Sequence, residues 1–128
     1  NTFIGYTINV RVEVESDDVL KIEALSQETF TILEQDIVLE FVGTDFYYSK
    51  LAEIRPGLFA KATQDARERA EAIAKATGVR VGKARSARTG VIQILPPNSQ
   101  DIADWGSYDL STREKEISAT TTVTFELK

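Results

Sequence analysis

Acid chemistry is the first thing these residue types invite. Asp17 and Asp18 are adjacent, and Asp101, Asp104 and Asp109 share one short stretch. Paired carboxylates can serve as general acid and base, and clustered ones can hold a hard cation such as calcium. Neither pattern is complete here. Asp17 and Asp18 follow Ser16 and precede a run of apolar residues at helical spacing, where acids favour the positive start of a helix. The three later aspartates lack the alternating ligands, the glycine and the distal glutamate of a calcium-binding loop, so no metal is expected. A basic run, Arg80, Lys83, Arg85 and Arg88, contains no acid and could grip a phosphate. A two-residue period puts Arg80 and Arg88 on one face and Lys83 and Arg85 on the other, which disperses them. They suit acidic helices or a neighbouring subunit better than a concentrated anion site. Trp105, the only tryptophan, stands near Tyr108. It either anchors a partner or folds back over its own core. These six residues, Arg80, Lys83, Arg85, Arg88, Trp105 and Tyr108, are the candidate interface or ligand residues. Tyr47 and Tyr48 could also form a ligand platform, but aromatics at a strand end are expected to pack on the neighbouring helix.

The missing residue types narrow the chemistry further. The chain has no histidine, no cysteine and no methionine. That removes most zinc sites, the Ser–His and Cys–His nucleophile systems and the easiest neutral-pH base. There is no Gly-x-Ser-x-Gly elbow, phosphate-binding loop or dinucleotide glycine fingerprint. The expectation is therefore a protein that is not an enzyme and needs no cofactor. A net charge of −5 and a pI near 4.8 argue against a general nucleic-acid binder. No apolar run approaches the roughly 18 residues of a membrane span. A chain that starts at Asn1 without any methionine reads as a truncated or processed product, lacking an amino-terminal region through which any membrane contact would run.

These residues must be positioned by elements the periodicity predicts. Residues 3–15 alternate, with Tyr6, Ile8, Val10, Val12 and Val14 on one face, as in a half-buried strand. A helix follows from Ser16 to about Glu34. Residues 36–48 read as a more enclosed strand. The long segment Leu51–Gly78 carries one helical face at Leu51, Ile54, Leu58, Ala62, Ala66, Ala70, Ile73 and Thr77, with Ser49 as its cap. Its alanine stripe lets the helix axis approach its support closely. Pro56 predicts a kink or a second helix start, and Gly78 a left-handed end. Residues 79–95 read as one long bent strand or two short ones, residues 96–111 as a loop, and residues 113–127 as the most regular strand. The last two strands should pair antiparallel. The predicted fold is a two-layer α/β (α+β) single domain over 1–128, with two helices on one face of a mixed four- to five-stranded sheet in the order β-α-β-α-β-β.

Several ordered motifs carry a resemblance. They are Tyr47-Tyr48-Ser49-Lys50-Leu51, the helical core Asp65-Ala66-Arg67-Glu68-Arg69-Ala70-Glu71, Gly78 and Gly82, Gly90-Val91-Ile92-Gln93-Ile94, Pro97-Asn98-Ser99, Tyr108-Asp109 and Glu114-Lys115-Glu116-Ile117. Together they resemble the SIMPL-domain family of bacterial envelope proteins over most of residues 36–128. The first strand and helix agree in pattern only, and Pro56 departs from the family pattern. The resemblance implies a periplasmic or envelope-anchored protein of unknown molecular function. It also implies links to oxidative-stress tolerance and ring-like homo-oligomers, and it supplies no catalytic residue. The preferred reading is a non-enzymatic envelope module that self-associates. The alternative is a binding domain for a cell-wall or small anionic ligand, using the 96–111 loop and the basic strand 80–88.

Overall fold

The structure, a computed structural model, describes residues 1–100 and 105–128. They form two compact units, Asn1–Thr44 and Asp45–Lys128. In the first unit, helix α1 spans Val19–Thr29 and tightens into a 3-10 helix over Phe30–Gln35. Asp18 is its N-cap and accepts from the Lys21 amide at 3.2 Å, while the Ser16 hydroxyl accepts from the Asp18 amide at 3.1 Å. The paired acids are thus a helix-start signal, satisfying an amide the helix cannot bond itself. The chain leaves the 3-10 turn at Asp36, which is left-handed with φ 59°.

The expected strands over 3–15 and 36–48 do not form, and the four- to five-stranded mixed sheet is overturned with them. Among the described residues there is one sheet of two antiparallel strands. Alternation selects a face, but a strand exists only when its amides and carbonyls find another strand. Residues 3–15 keep their alternation without that partner, and Tyr6, Ile8, Val10, Val12 and Val14 are all exposed, from 55% at Val14 to 89% at Tyr6.

In the second unit, α2 spans Leu51–Thr77, β1 Val81–Leu95 and β2 Glu116–Leu127. The stripe Leu51, Ile54, Leu58, Ala62, Ala66 and Ala70 is half-buried, and the next residue inward is Ala74 at 3% exposure. Ile73, expected in that stripe, is 67% exposed. Pro56 lies inside α2 without ending it, and Lys50 rather than Ser49 is the N-cap. Proline at this position removes one bond, to the carbonyl of Ala52. Ala52 and Pro56 are both exposed, so water can satisfy that carbonyl. Gly78, at φ 77°, ends the helix as expected, and the Val79 amide bonds Ala74 O at 3.0 Å. The Asp65–Arg69 pair forms at 2.9 Å, whereas Glu71 pairs with Arg67 at 2.8 Å. The Arg67 guanidinium also lies 5.8 Å from the Phe125 ring centroid, tying α2 to β2.

β1 is one long strand with register shifts between Val81 and Ala84, Ala84 and Ser86, and Thr89 and Ile92. Gly82 and Gly90 fall in two of these irregular stretches. A Cβ at Gly90 would approach Thr120 O to 3.3 Å, so a side chain there would need the neighbouring strand to give by a few tenths of an ångström. In β2, Ile117, Ala119, Thr121, Val123 and Phe125 are half-buried while Ser118, Thr120, Thr122 and Thr124 are exposed, the alternation predicted from sequence. Ile94 on β1 is the largest fully buried side chain among the described residues.

Candidate functional site

The segment between the strands does not simply wander over the surface. After a turn in which the Ser99 amide bonds Pro96 O at 3.1 Å, the chain returns to run beside the end of β1. The Ile94 amide bonds Ser107 O, and the Asp109 amide bonds Ile94 O, both at 2.7 Å, forming a parallel bridge between Ile94 and Tyr108. On the far side, the Phe46 amide bonds Leu110 O at 2.8 Å, and the Tyr48 amide donates to the Tyr108 hydroxyl at 2.9 Å. Tyr47 and Tyr108 lie 6.2 Å apart between ring centroids. The two early tyrosines therefore meet the late loop, a contact that helix packing alone does not anticipate.

Two local devices fix this loop. Gly106 has φ 86°, a left-handed conformation that side chains disfavour. A Cβ there would stand 3.3 Å from Ile92 O and 3.5 Å from Val91 Cβ, so glycine lets the loop back tightly onto β1. At the other end, the Asp109 carboxylate gathers donors. It accepts from the Ser111 hydroxyl at 2.6 Å and the Ser111 amide at 3.1 Å, and from the Thr112 hydroxyl and the Thr112 amide, the latter at 3.0 Å. Lys115 closes the knot, with Nζ 3.3 Å from Asp109 Oδ2 and 2.8 Å from Thr112 O, and its side chain is only 5% exposed. The hydroxyls of Ser111 and Thr112, backed by their amides, hold the Asp109 carboxyl well below the usual carboxylate range, against the opposing effect of burial.

Between this loop, β1 and the first half of α2 lies a cleft of about 510 Å³. α2 contributes Leu51, Arg55 and Phe59, which repeat every four residues and so share a helix face. β1 contributes Gly90, Val91, Ile92 and Ile94, and the loop contributes Trp105 to Tyr108. Trp105 is 86% exposed, so it neither caps a core nor is buried as an anchor in this chain. Among the described residues, Arg55 is the one charged residue in the lining and no ion pair engages it. The volume lies within the usual range for small-molecule sites, about 300–1,000 Å³.

The sequence-predicted residues divide. Trp105 and Tyr108 come together at the cleft. Arg80, Lys83, Arg85 and Arg88 are exposed and lie outside its lining. Arg85 pairs with Glu126 at 2.8 Å, and Arg80 borders a separate depression beside both Glu71 and Lys75. Asp101 and Asp104 lie outside the described residues, and among those described no acid, histidine or cysteine cluster could hold a metal ion. Sequence reasoning missed Arg55 and Phe59. The available signal was their four-residue spacing from Leu51, on a face judged only for packing.

A family model, SIMPL, described as a protein of unknown function (DUF541), matches residues 1–125. The chain belongs to the SIMPL family. The match includes residues 3–34, where the motifs resembled the family in pattern only, and it spans both compact units. Comparisons with curated proteins and with solved structures return no match. No helix among the described residues of this SIMPL chain is long and apolar enough to cross a membrane. The family description leaves the molecular function open, so the cleft and the sheet must be read on their own chemistry.

Proposed function

We propose that this chain is a non-enzymatic module of the bacterial envelope that associates with copies of itself, in the service of oxidative- or envelope-stress tolerance. The envelope and the stress role come from the family resemblance. The non-enzymatic reading rests on a sequence without histidine or cysteine. Self-association rests on one observation, the bare outer edge of β2. β1 is the only strand beside it among the described residues. From Ile117 to Phe125 that edge carries no charge, no proline and no glycine. Proteins guard exposed edges with such residues, because a row of free amides and carbonyls templates another strand. An unguarded edge fits a strand that is covered in the working assembly.

A second copy offers the simplest cover. Two β2 edges related by a two-fold axis pair antiparallel and continue the sheet across both copies. The threonines at the centre of the strand would then face threonines, a favourable cross-strand pairing. Light scattering across a concentration series tests this. The expected result is a mass that rises with concentration, and a strict monomer throughout would sink the proposal. The Thr120→Lys/Thr122→Lys double variant puts like charges face to face and should weaken association at least about tenfold. Unchanged association in that variant would remove the contact from β2.

A further inference from the structure

We infer that the cleft at Trp105 binds a small molecule made of a flat ring and one carboxylate. The inference is independent of self-association. Three observations carry it. Trp105 holds its indole 86% exposed on a loop whose backbone is fixed at Gly106 and at the Ile94 bridge. A large aromatic left in water on a rigid support is a preorganised stacking surface, since little ordering entropy remains to be lost when a ring lands on it. Phe59 and Tyr108 stand in the same lining, so the space beside the indole is largely apolar; it also holds the Ser107 and Tyr108 hydroxyl groups, and that of Tyr108 already accepts from the Tyr48 amide.

The third observation is the charge. Arg55 brings to this lining a guanidinium that no acid pairs among the described residues. A guanidinium presents paired donors that match a carboxylate in a bidentate fork. Its place near the start of α2 adds the positive end of the helix to the same side. A carboxylate gains a charge-assisted pair there that a neutral ligand does not, and a cation would be repelled. Arg80 and the three basic residues of β1, though more numerous, lie outside this lining.

Trp105 is the only tryptophan and therefore reports on its own site. The probes are 3-phenylpropanoate and benzoate, which carry the carboxylate at two distances from a flat ring, each compared with its amide. Emission is titrated at one protein concentration whose mass is fixed by light scattering. The expected result is a saturable change for at least one acid, with its amide weaker by about tenfold. Arg55→Gln should reduce binding of that acid similarly, and Arg88→Gln, outside the lining, should leave it unchanged. The probe that saturates identifies how far the carboxylate stands from the ring. The inference is overturned if neither acid saturates up to millimolar concentration, if amide and acid bind alike, or if Arg88→Gln weakens binding as much as Arg55→Gln.

Discussion

Two glycine-to-alanine substitutions in the second unit should move stability in opposite directions. Gly57 lies inside α2, and a Cβ there meets nothing within 4 Å. Alanine at that site gives up nothing in the folded state and narrows the unfolded ensemble, a gain of about 0.5–1 kcal/mol. Gly106 has φ 86°, and its Cβ would press against Ile92 O at 3.3 Å. Left-handed backbone costs an L-residue about 1–2 kcal/mol, and the close oxygen forces a further adjustment, so Gly106→Ala should lose about 1–3 kcal/mol. With a urea slope of roughly 1–3 kcal/mol/M, the two midpoints should separate by about 1 M on opposite sides of the parent. Trp105 emission supplies a second readout, because a loop that peels from β1 to relieve the strain moves the neighbouring indole. If Gly106→Ala matched or exceeded the parent in midpoint and left the emission unchanged, the rigid support claimed for Trp105 would be refuted.

Ile94→Ala should cost about 2–5 kcal/mol, because that side chain is 1% exposed, whereas Ile73→Ala, at a 67% exposed position, should stay within about 0.5 kcal/mol in paired urea melts. Asp109→Asn should destabilise the chain at neutral pH, and its deficit should shrink on acidification. The depressed carboxyl contributes stability that is fully present above its unfolded value of about 3.9 and is lost as pH falls through its lower folded value, so paired melts at neutral and acidic pH must converge.

The long helix was legible because its signal is local and repeated. Leu51 to Ala70 gave the buried face directly, and Gly78 gave its end. The reading failed at the last turn for a geometric reason. Each step of four residues advances the face by about 40°, while a step of three turns it back by about 60°. Hydropathy favoured the backward step to Ile73, but the helix takes the forward step to Ala74, which is 3% exposed against 67% for Ile73. The cleft was not legible for a different reason. Arg55, Ile94 and Trp105 are far apart in sequence, and the bonds joining Ile94 to Ser107 and Asp109 bring them together through the backbone, which leaves no mark on residue type.

The sheet exposes the deepest limit of local patterning, and that limit bears on function. Alternation runs through both Tyr6–Val14 and Ile117–Phe125, yet only the second stretch is a strand. Period two states which face wants cover; it does not say which strand supplies the backbone bonds, because strand pairing is a long-range choice. Of a composition that is 42% hydrophobic, only Ala74 and Ile94 are buried apolar residues among those described. Isolated proteins rarely leave large contiguous apolar surface in water. Two faces built for burial and one edge built without protection therefore point the same way. The self-association proposed above would supply the missing cover from a second copy, and an assay that keeps the protein dilute would then hide it.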